Sequence, residues 1–310
     1  MKPTILSILA AAAFLATAAC DLDAFETSQR FKEEFHFRHD LKPGGRLAVE
    51  NFNGSVEIEG WNQSYVEIDG EKYASTRENL DRMSVQVKPS ADFIDVRTVR
   101  ETGISRWGNM GARYRIRVPS KTRLDGIVSS NGPITIRNVE EVGRVRTSNG
   151  PVRLQGTAGN ADIDTSNGPV EIRDFSGPAN VHTSNGPVTV SGATGRLDVV
   201  TSNGPVRAEM SAASDAVRLR TSNGPLTLTF SDAKVPDVTA STSNGPVTVR
   251  MPANAKARIK AHTSNSSIDC SLPGLNVESK SKTSLAATLG GGGPLLDLAT
   301  SNGRVRIEER

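Results

Sequence analysis

The chain is poor in the residues from which most sites are built. Aromatics are 5% of its 310 residues, with four His and two Cys. Beyond residue 115 there is no Trp or Tyr, and Phe appears there only as Phe175 and Phe230. That long stretch therefore lacks the aromatic platforms on which sugars and bases stack. His36 and His39 lie three apart in Phe35-His36-Phe37-Arg38-His39-Asp40, and in a strand they face opposite sides. The histidines form no ligand cluster of recognisable spacing, so no metal and no cofactor is assigned. The formal net charge is +3, with the signs interspersed, which gives no case for nucleic acid. Gly290 to Gly293 lacks the Lys-Ser/Thr and the following helix of a phosphate loop, and reads as a flexible loop. After residue 19 no apolar run is long enough to span a bilayer.

The N-terminus has the layout of an export signal. Lys2 supplies the positive start, Ile5 to Leu15 is apolar, and small residues lead to Cys20. Thr17-Ala18-Ala19-Cys20 resembles the bacterial lipobox, with Thr17 where Leu is usual. The expectation is that Cys20 is lipidated and anchors the protein to a membrane; the alternative is a plain secretory signal cut nearby. With Cys20 lipidated, Cys270 is alone and no intramolecular disulfide forms. Cys270 alternates with apolar neighbours and reads as a small core residue.

What the chain has in abundance is one phrase, Thr-Ser-Asn-Gly-Pro-Val, starting at Thr147, Thr165, Thr183, Thr201 and Thr242. Variants begin at Ser129, Thr221, Thr263 and Thr300. The marker asparagines are Asn131, Asn149, Asn167, Asn185, Asn203, Asn223, Asn244, Asn265 and Asn302. The steps between them are 18, 18, 18, 18, 20, 21, 21 and 37 residues. A period in this range signals stacked repeats. The last step reads as two coils, with a degraded marker near Thr283-Ser284. Asn53-Gly54 reads as a first, worn copy.

Within each coil two short apolar alternations flank the phrase, as with Val170 and Ile172 after one Asn-Gly and Val181 and Thr183 before the next. Asn-Gly is ordinarily a hairpin signal, because both residues tolerate positive φ. Here Pro follows at once and cannot donate to a ladder, and the strands are too short to build a hairpin core alone. The expected fold is all-β: a parallel β-solenoid of stacked two-strand coils with 18–21-residue repeats. In-register stacking turns the Thr inward and brings the Asn side chains about 4.8 Å apart, close enough for an amide ladder. A shift of 18 sets Arg144 over Asp162, Arg146 over Asp164 and Arg153 over Glu171, opposite signs in each case.

The regular repeat is expected over residues 129–310. Residues 1–19 read as signal peptide, 20–40 as lipidated tether and N-terminal cap, and 41–128 as an irregular solenoid part with long loops. In that part Glu71 to Arg82 reads as charged and loop-like with at most a helical turn. Strands are predicted at Met83 to Val87, Phe93 to Val96 and Tyr114 to Val118, and 101–112 as an exposed loop carrying Trp107. Arg304, Arg306, Glu308, Glu309 and Arg310 make the last coil highly charged, which suits an exposed stack end.

The signal with Cys20, Pro43-Gly44-Gly45, Asn53-Gly54, Trp61, Tyr114-Arg-Ile-Arg-Val-Pro119 and the Ser-Asn-Gly-Pro coils together resemble the DUF4097 family of bacterial envelope proteins, described as candidate adhesins. The resemblance covers roughly residues 40–310. It implies an exported β-solenoid without an established biochemical activity and with no catalytic residues to carry over.

Two functional readings follow. The first is a non-catalytic, envelope-anchored rod for adhesion, scaffolding or sensing, with a glycan or an envelope protein as partner. Its candidate surfaces are the Trp107 loop and the face bearing Arg144, Arg146, Arg218, Arg220, Lys260, His262, Lys280 and Lys282. The second is a carbohydrate-active enzyme, a glycosidase or polysaccharide lyase. Its candidate acid/base group is Asp162 and Asp164, about 7 Å apart on one strand face, beside His182.

Overall fold

The computed structural model describes residues 31–101, 109–212 and 215–310. The signal peptide, Cys20 and Trp107 lie outside the described residues.

Chain order begins with β1 (Phe31–Asp40), β2 (Arg46–Asn53), β3 (Val56–Trp61) and β4 (Tyr65–Ala74). A five-residue helix α1 (Arg77–Asp81) follows, capped where Thr76 Oγ1 accepts from the Asn79 amide. Then come β5 (Met83–Pro89), β6 (Phe93–Arg100), β7 (Met110–Pro119), β8 (Arg123–Asn131) and β9 (Ile134–Arg137). The Glu71 to Arg82 stretch is thus the end of a strand and a short helix, because Glu71 to Ala74 stay paired to β1 and β7.

The repeats contribute β10 (Glu141–Thr147), β11 (Val152–Thr165), β12 (Val170–Ser176), β13 (Ala179–Thr183), β14 (Val188–Thr194), β15 (Leu197–Asn203) and β16 (Val206–Ala212). They continue as β17 (Val217–Asn223), β18 (Leu226–Phe230), β19 (Val238–Asn244) and β20 (Val247–Met251). The chain closes with β21 (Ala257–Thr263), β22 (Ile268–Cys270), β23 (Leu275–Lys280), β24 (Ser284–Leu289), β25 (Leu295–Thr300) and β26 (Val305–Glu309).

These strands form two facing sheets. One runs β1, β4, β7, β3, β9, β11, β12, β14, β16, β18, β20, β26, β22. The other runs β5, β6, β2, β8, β10, β11, β13, β15, β17, β19, β25, β21, β24, β23. The first half of β11 lies in one sheet and its second half in the other, so this long strand turns a corner of the rod. From β8 to β20 all pairing is parallel and each coil is one strand of each sheet. Antiparallel partners appear only at the two ends. The protein is a parallel β-solenoid.

Alternation of buried and exposed residues gives each strand one face to the core, as in the Val188 to Thr194 strand. Most buried side chains, from Leu41 and Leu47 to Val305 and Ile307, form one continuous cluster along the stack, and Ala74, Leu80, Met83 and Met110 form a small second one. Thr147, Thr165, Thr183, Thr201, Thr221, Thr242, Thr263 and Thr300 are all buried inside it. Several donate from Oγ1 to a glycine carbonyl of the adjacent coil, as Thr242 does to Gly224 at 3.1 Å.

The Pro that disfavours a hairpin is harmless in this stack. It opens the strand, and its carbonyl accepts from the residue after the neighbouring Pro: Val152 N donates to Pro169 O and Val170 N to Pro187 O, each at 3.0 Å. The glycine has a different role from the one expected. None of the repeat glycines from Gly132 to Gly303 has positive φ, nor does any marker Asn. Each repeat glycine instead lies against the glycine carbonyl of the coil beside it: a Cβ on Gly186 would sit 2.2 Å from Gly168 O. The residue is small so that coils can close to sheet spacing.

The asparagines form one directional ladder. Asn149 Nδ2 donates to Asn131 Oδ1 at 2.7 Å, and the pattern repeats through Asn167, Asn185, Asn203, Asn223 and Asn244 at 2.8–2.9 Å. Asn131 in turn donates to Asn53 Oδ1 at 2.8 Å, and Asn53 Nδ2 closes the ladder on Met110 O at 2.9 Å.

Stack order departs from chain order at both ends. The coil of β2 and β3 sits between that of β6 and β7 and that of β8 and β9. The coil of β25 and β26 sits between β19/β20 and β21/β22. The charged last coil is therefore interior to the stack, not its exposed end. Thr283-Ser284 marks no coil: it leads into β24, which pairs antiparallel with both β21 and β23 and covers the end. Ten Asn-bearing coils at about 4.8 Å each make a rod of roughly 50 Å.

Candidate functional site

The four arginines singled out from sequence all face outward on the sheet containing β10 and β17, but they are not neighbours. In register, Arg144 is followed across the sheet by Asp162, Asn180, Asp198 and then Arg218. Arg146 is followed by Asp164, His182, Val200 and then Arg220. Four strand spacings, about 19 Å, separate the two pairs. Lys260 and His262 on β21 lie further along, beyond Asp297 and Ala299. Arg144 Nε lies 3.7 Å from Asp162 Oδ2. The face is a mixed stripe of basic, acidic and neutral residues rather than a continuous basic surface.

The acid/base trio is placed as the register requires. Asp162 and Asp164 share the outer face of β11, and Asp164 is opposite His182 on β13. A shallow groove of about 310 Å³ runs here, lined by Arg146, Asp164, His182, Val200 and the Ser148, Ser166 and Ser184 row. No Phe, Tyr or Trp lines it, and Asp162 is outside it.

A larger cavity lies elsewhere among the described residues. A trough of about 550 Å³ crosses the outer face of β1, β4, β7 and β3 at the N-terminal end of the rod. Two rows of side chains wall it. One is Glu34, Glu71 and Arg113; the other is His36, Asp69, Arg115 and Glu57. Gly70 lies between the rows, and a Cβ there would sit 2.4 Å from the Phe35 ring and 2.1 Å from Arg113 O. The strand edges are pinned by ion pairs: Arg113 with Glu71, Arg117 with Glu67, and Lys72 with Glu33 at 3.1 Å.

At one side of the trough three ligand-type groups converge, His36 and Asp69 from its lining and Glu67 from just beyond it. His36 Nδ1 lies 2.7 Å from Asp69 Oδ1, and one oxygen of Glu67 joins them with all three atoms within 4.8 Å of one another. In sequence His36 stands near His39, and its grouping with Glu67 and Asp69 is not visible there. The available signal was Glu67-Ile68-Asp69, two carboxylates two apart; antiparallel register with β1 was needed to set them opposite His36.

Beneath the trough a buried polar chain joins three strands. Tyr114 OH donates to Thr98 Oγ1 at 2.5 Å, Thr98 donates to Asn51 Oδ1 at 3.0 Å, and Asn51 Nδ2 donates to Ala112 O at 2.8 Å. Burial pushes the Tyr114 hydroxyl up to about 12, opposed in part by its bond to Thr98. Burial likewise raises Tyr73, with Arg113 acting the other way.

The N-terminal aromatics are mostly covered by arginines. Arg38 lies 3.7 Å over Tyr65, Arg117 4.7 Å over Trp61, Arg113 4.6 Å over Tyr73 and Arg100 5.0 Å over Phe52. Each of these rings thus has an arginine stacked on one face.

No curated protein matches the chain. Among solved structures, a candidate adhesin from Parabacteroides merdae is 9% identical, covering 90% of this chain and 96% of that one at a TM-score of 0.44. A candidate adhesin from Bacteroides fragilis is 13% identical, covering 90% and 97% at 0.38. A candidate lipid-binding protein from Parabacteroides distasonis is 11% identical, covering 89% and 96% at 0.36. The Toastrack DUF4097 family model matches residues 46–308, which spans both ordered sheets and both inserted end coils. The chain belongs to the Toastrack DUF4097 family.

Proposed function

We propose that this protein is a non-catalytic rod of the cell envelope, anchored through a lipid on Cys20, that presents its faces to a glycan or an envelope protein. The observation that carries the reading is the unbroken stack: one sealed core and one amide ladder run through all ten coils. Such a structure holds a surface at a fixed distance and orientation. β1 is the outermost strand of its sheet, so the chain from Cys20 joins the rod at one end. The eleven residues from Cys20 to Phe31 reach at most about 38 Å. Among the described residues no helix is long and apolar enough to cross a membrane.

Two measurements test this. Cys20→Ser moves the protein out of the membrane fraction; a variant that still pellets with membranes refutes the anchor. A glycan and envelope-protein binding screen returns a ligand whose capture survives Asp162→Asn with Asp164→Asn. Turnover of an envelope polysaccharide that this double variant abolishes overturns the non-catalytic reading.

A further inference from the structure

We infer that His36, Glu67 and Asp69 form a binding site for a divalent transition cation, zinc in the first instance, at the edge of the N-terminal trough. They are the one group of three metal-ligating side chains gathered within bonding reach among the described residues. Two paired strands place them: His36 stands directly opposite Asp69, and Glu67 lies two residues away on the same face of β4. In a tetrahedral zinc site with bonds of about 2 Å, neighbouring ligand atoms are roughly 3.3 Å apart. The His36–Asp69 separation is already 2.7 Å, and no pair exceeds 4.8 Å. Small rotations of His36 and Asp69, 58% and 41% exposed, toward the less exposed Glu67 close the difference.

The hydrogen-bonding pattern shows how a cation enters. A carboxylate oxygen accepts, so the short His36–Asp69 bond places hydrogen on Nδ1. The cation takes the position of that hydrogen, and the imidazole carries its proton on Nε2 instead. Arg117 holds Glu67 through Oε2, which leaves Oε1 for the metal and orients the carboxylate. The trough supplies the open side: its 550 Å³ leaves room for water or a ligand group at the remaining coordination positions.

The surrounding charges select the kind of cation. Arg117 and Arg38 lie in register with Glu67, and Arg115 with Asp69. Their positive field offsets the two carboxylates, so a hard cation drawn by charge alone gains little. A cation that bonds to imidazole nitrogen keeps its advantage. The site therefore discriminates zinc from calcium.

Titration calorimetry of the purified protein with zinc chloride, and separately with calcium chloride, decides the matter. The expected result is one saturable equivalent of zinc and no saturable calcium. His36→Ala and Asp69→Asn should each weaken zinc by at least about tenfold, since even outer partners of a metal ligand change affinity by that much. The Asp162→Asn variant, four strand spacings from β4 along the stack and on the opposite sheet, should bind zinc as the parent does. Circular dichroism establishes that the variants remain folded; His36 is an exposed position on an edge strand, so its truncation spares the core. Absence of saturable zinc binding, or zinc affinity unchanged in both variants, overturns the proposal.

Discussion

Asn265 and Asn302 are 37 positions apart in the chain, yet Asn265 Nδ2 donates to Asn302 Oδ1 at 2.7 Å. Asn302 donates in turn to Asn244 Oδ1 at 2.8 Å, across 58 positions. The chain therefore climbs past the position of its last coil, builds β21 to β24, and then returns to fill the gap. The N-terminal end is built the same way, with Asn53 next to Asn131 across 78 positions. Both chain-end coils are thereby held between neighbours.

Deleting residues 291–310 removes an interior coil. β22 has its registered partner only in β26, and β21 joins the stack through β25. Limited proteolysis of the truncated protein is expected to cut between residues 252 and 290 while coils up to Met251 stay protected. Continued protection of 257–289 would mean that this segment restacks directly on β19 and β20.

The ladder predicts a cost at any central rung. Asn185 donates to Asn167 and accepts from Asn203, both at 2.9 Å. Asn185→Ala loses both bonds at an exposed corner, and about 1–2 kcal/mol of unfolding free energy is expected to go with them. Urea unfolding measures it. Equal stability to the parent would show that the ladder is decorative.

Glycine substitutions separate close approach from turn geometry. Gly186→Ala places a Cβ 2.2 Å from the Gly168 carbonyl oxygen, where only backbone can yield. A loss of about 3 kcal/mol is expected. At Gly126 nothing lies within 4 Å of an added Cβ, so Gly126→Ala is expected to change stability by less than about 0.5 kcal/mol. Thermal unfolding of the two variants side by side reads the contrast.

Alkaline pH should loosen the N-terminal end. Tyr114 is raised from 10.0 to about 12 by burial, so the folded state keeps its proton longer than the unfolded chain does. Stability is full below pH 10 and falls as pH rises toward 12, by up to about 1.4 kcal/mol per unit. Tyr114→Phe should flatten that slope, leaving the smaller part that the raised Tyr73 contributes. Denaturant midpoints across this range, identical for parent and variant, would remove Tyr114 as the cause.

Much of this molecule is written locally. The spacing of Thr-Ser-Asn-Gly-Pro-Val implied stacked coils, and alternation such as Val170/Ile172 against Glu171/Arg173 implied which face is buried. Those inferences need only period and parity. The close-approach role of the repeat glycine is not legible locally, because a turn residue and a close-approach residue look alike until the neighbouring coil is present. The His36 trio was invisible for a related reason: His36 and Asp69 are 33 positions apart, and nothing in either segment announces antiparallel register.

By itself, then, the sequence determined a two-strand coil, its inward Thr and apolar positions, and an Asn in place to ladder, since each depends on a repeat meeting its own copy one period away. Only the tertiary structure decided the order of coils at the ends, the antiparallel caps and the trough with its three convergent ligands. Those depend on which non-repeated strands pair over long separations, and pairing at that range is chosen by the whole sheet rather than by any local pattern.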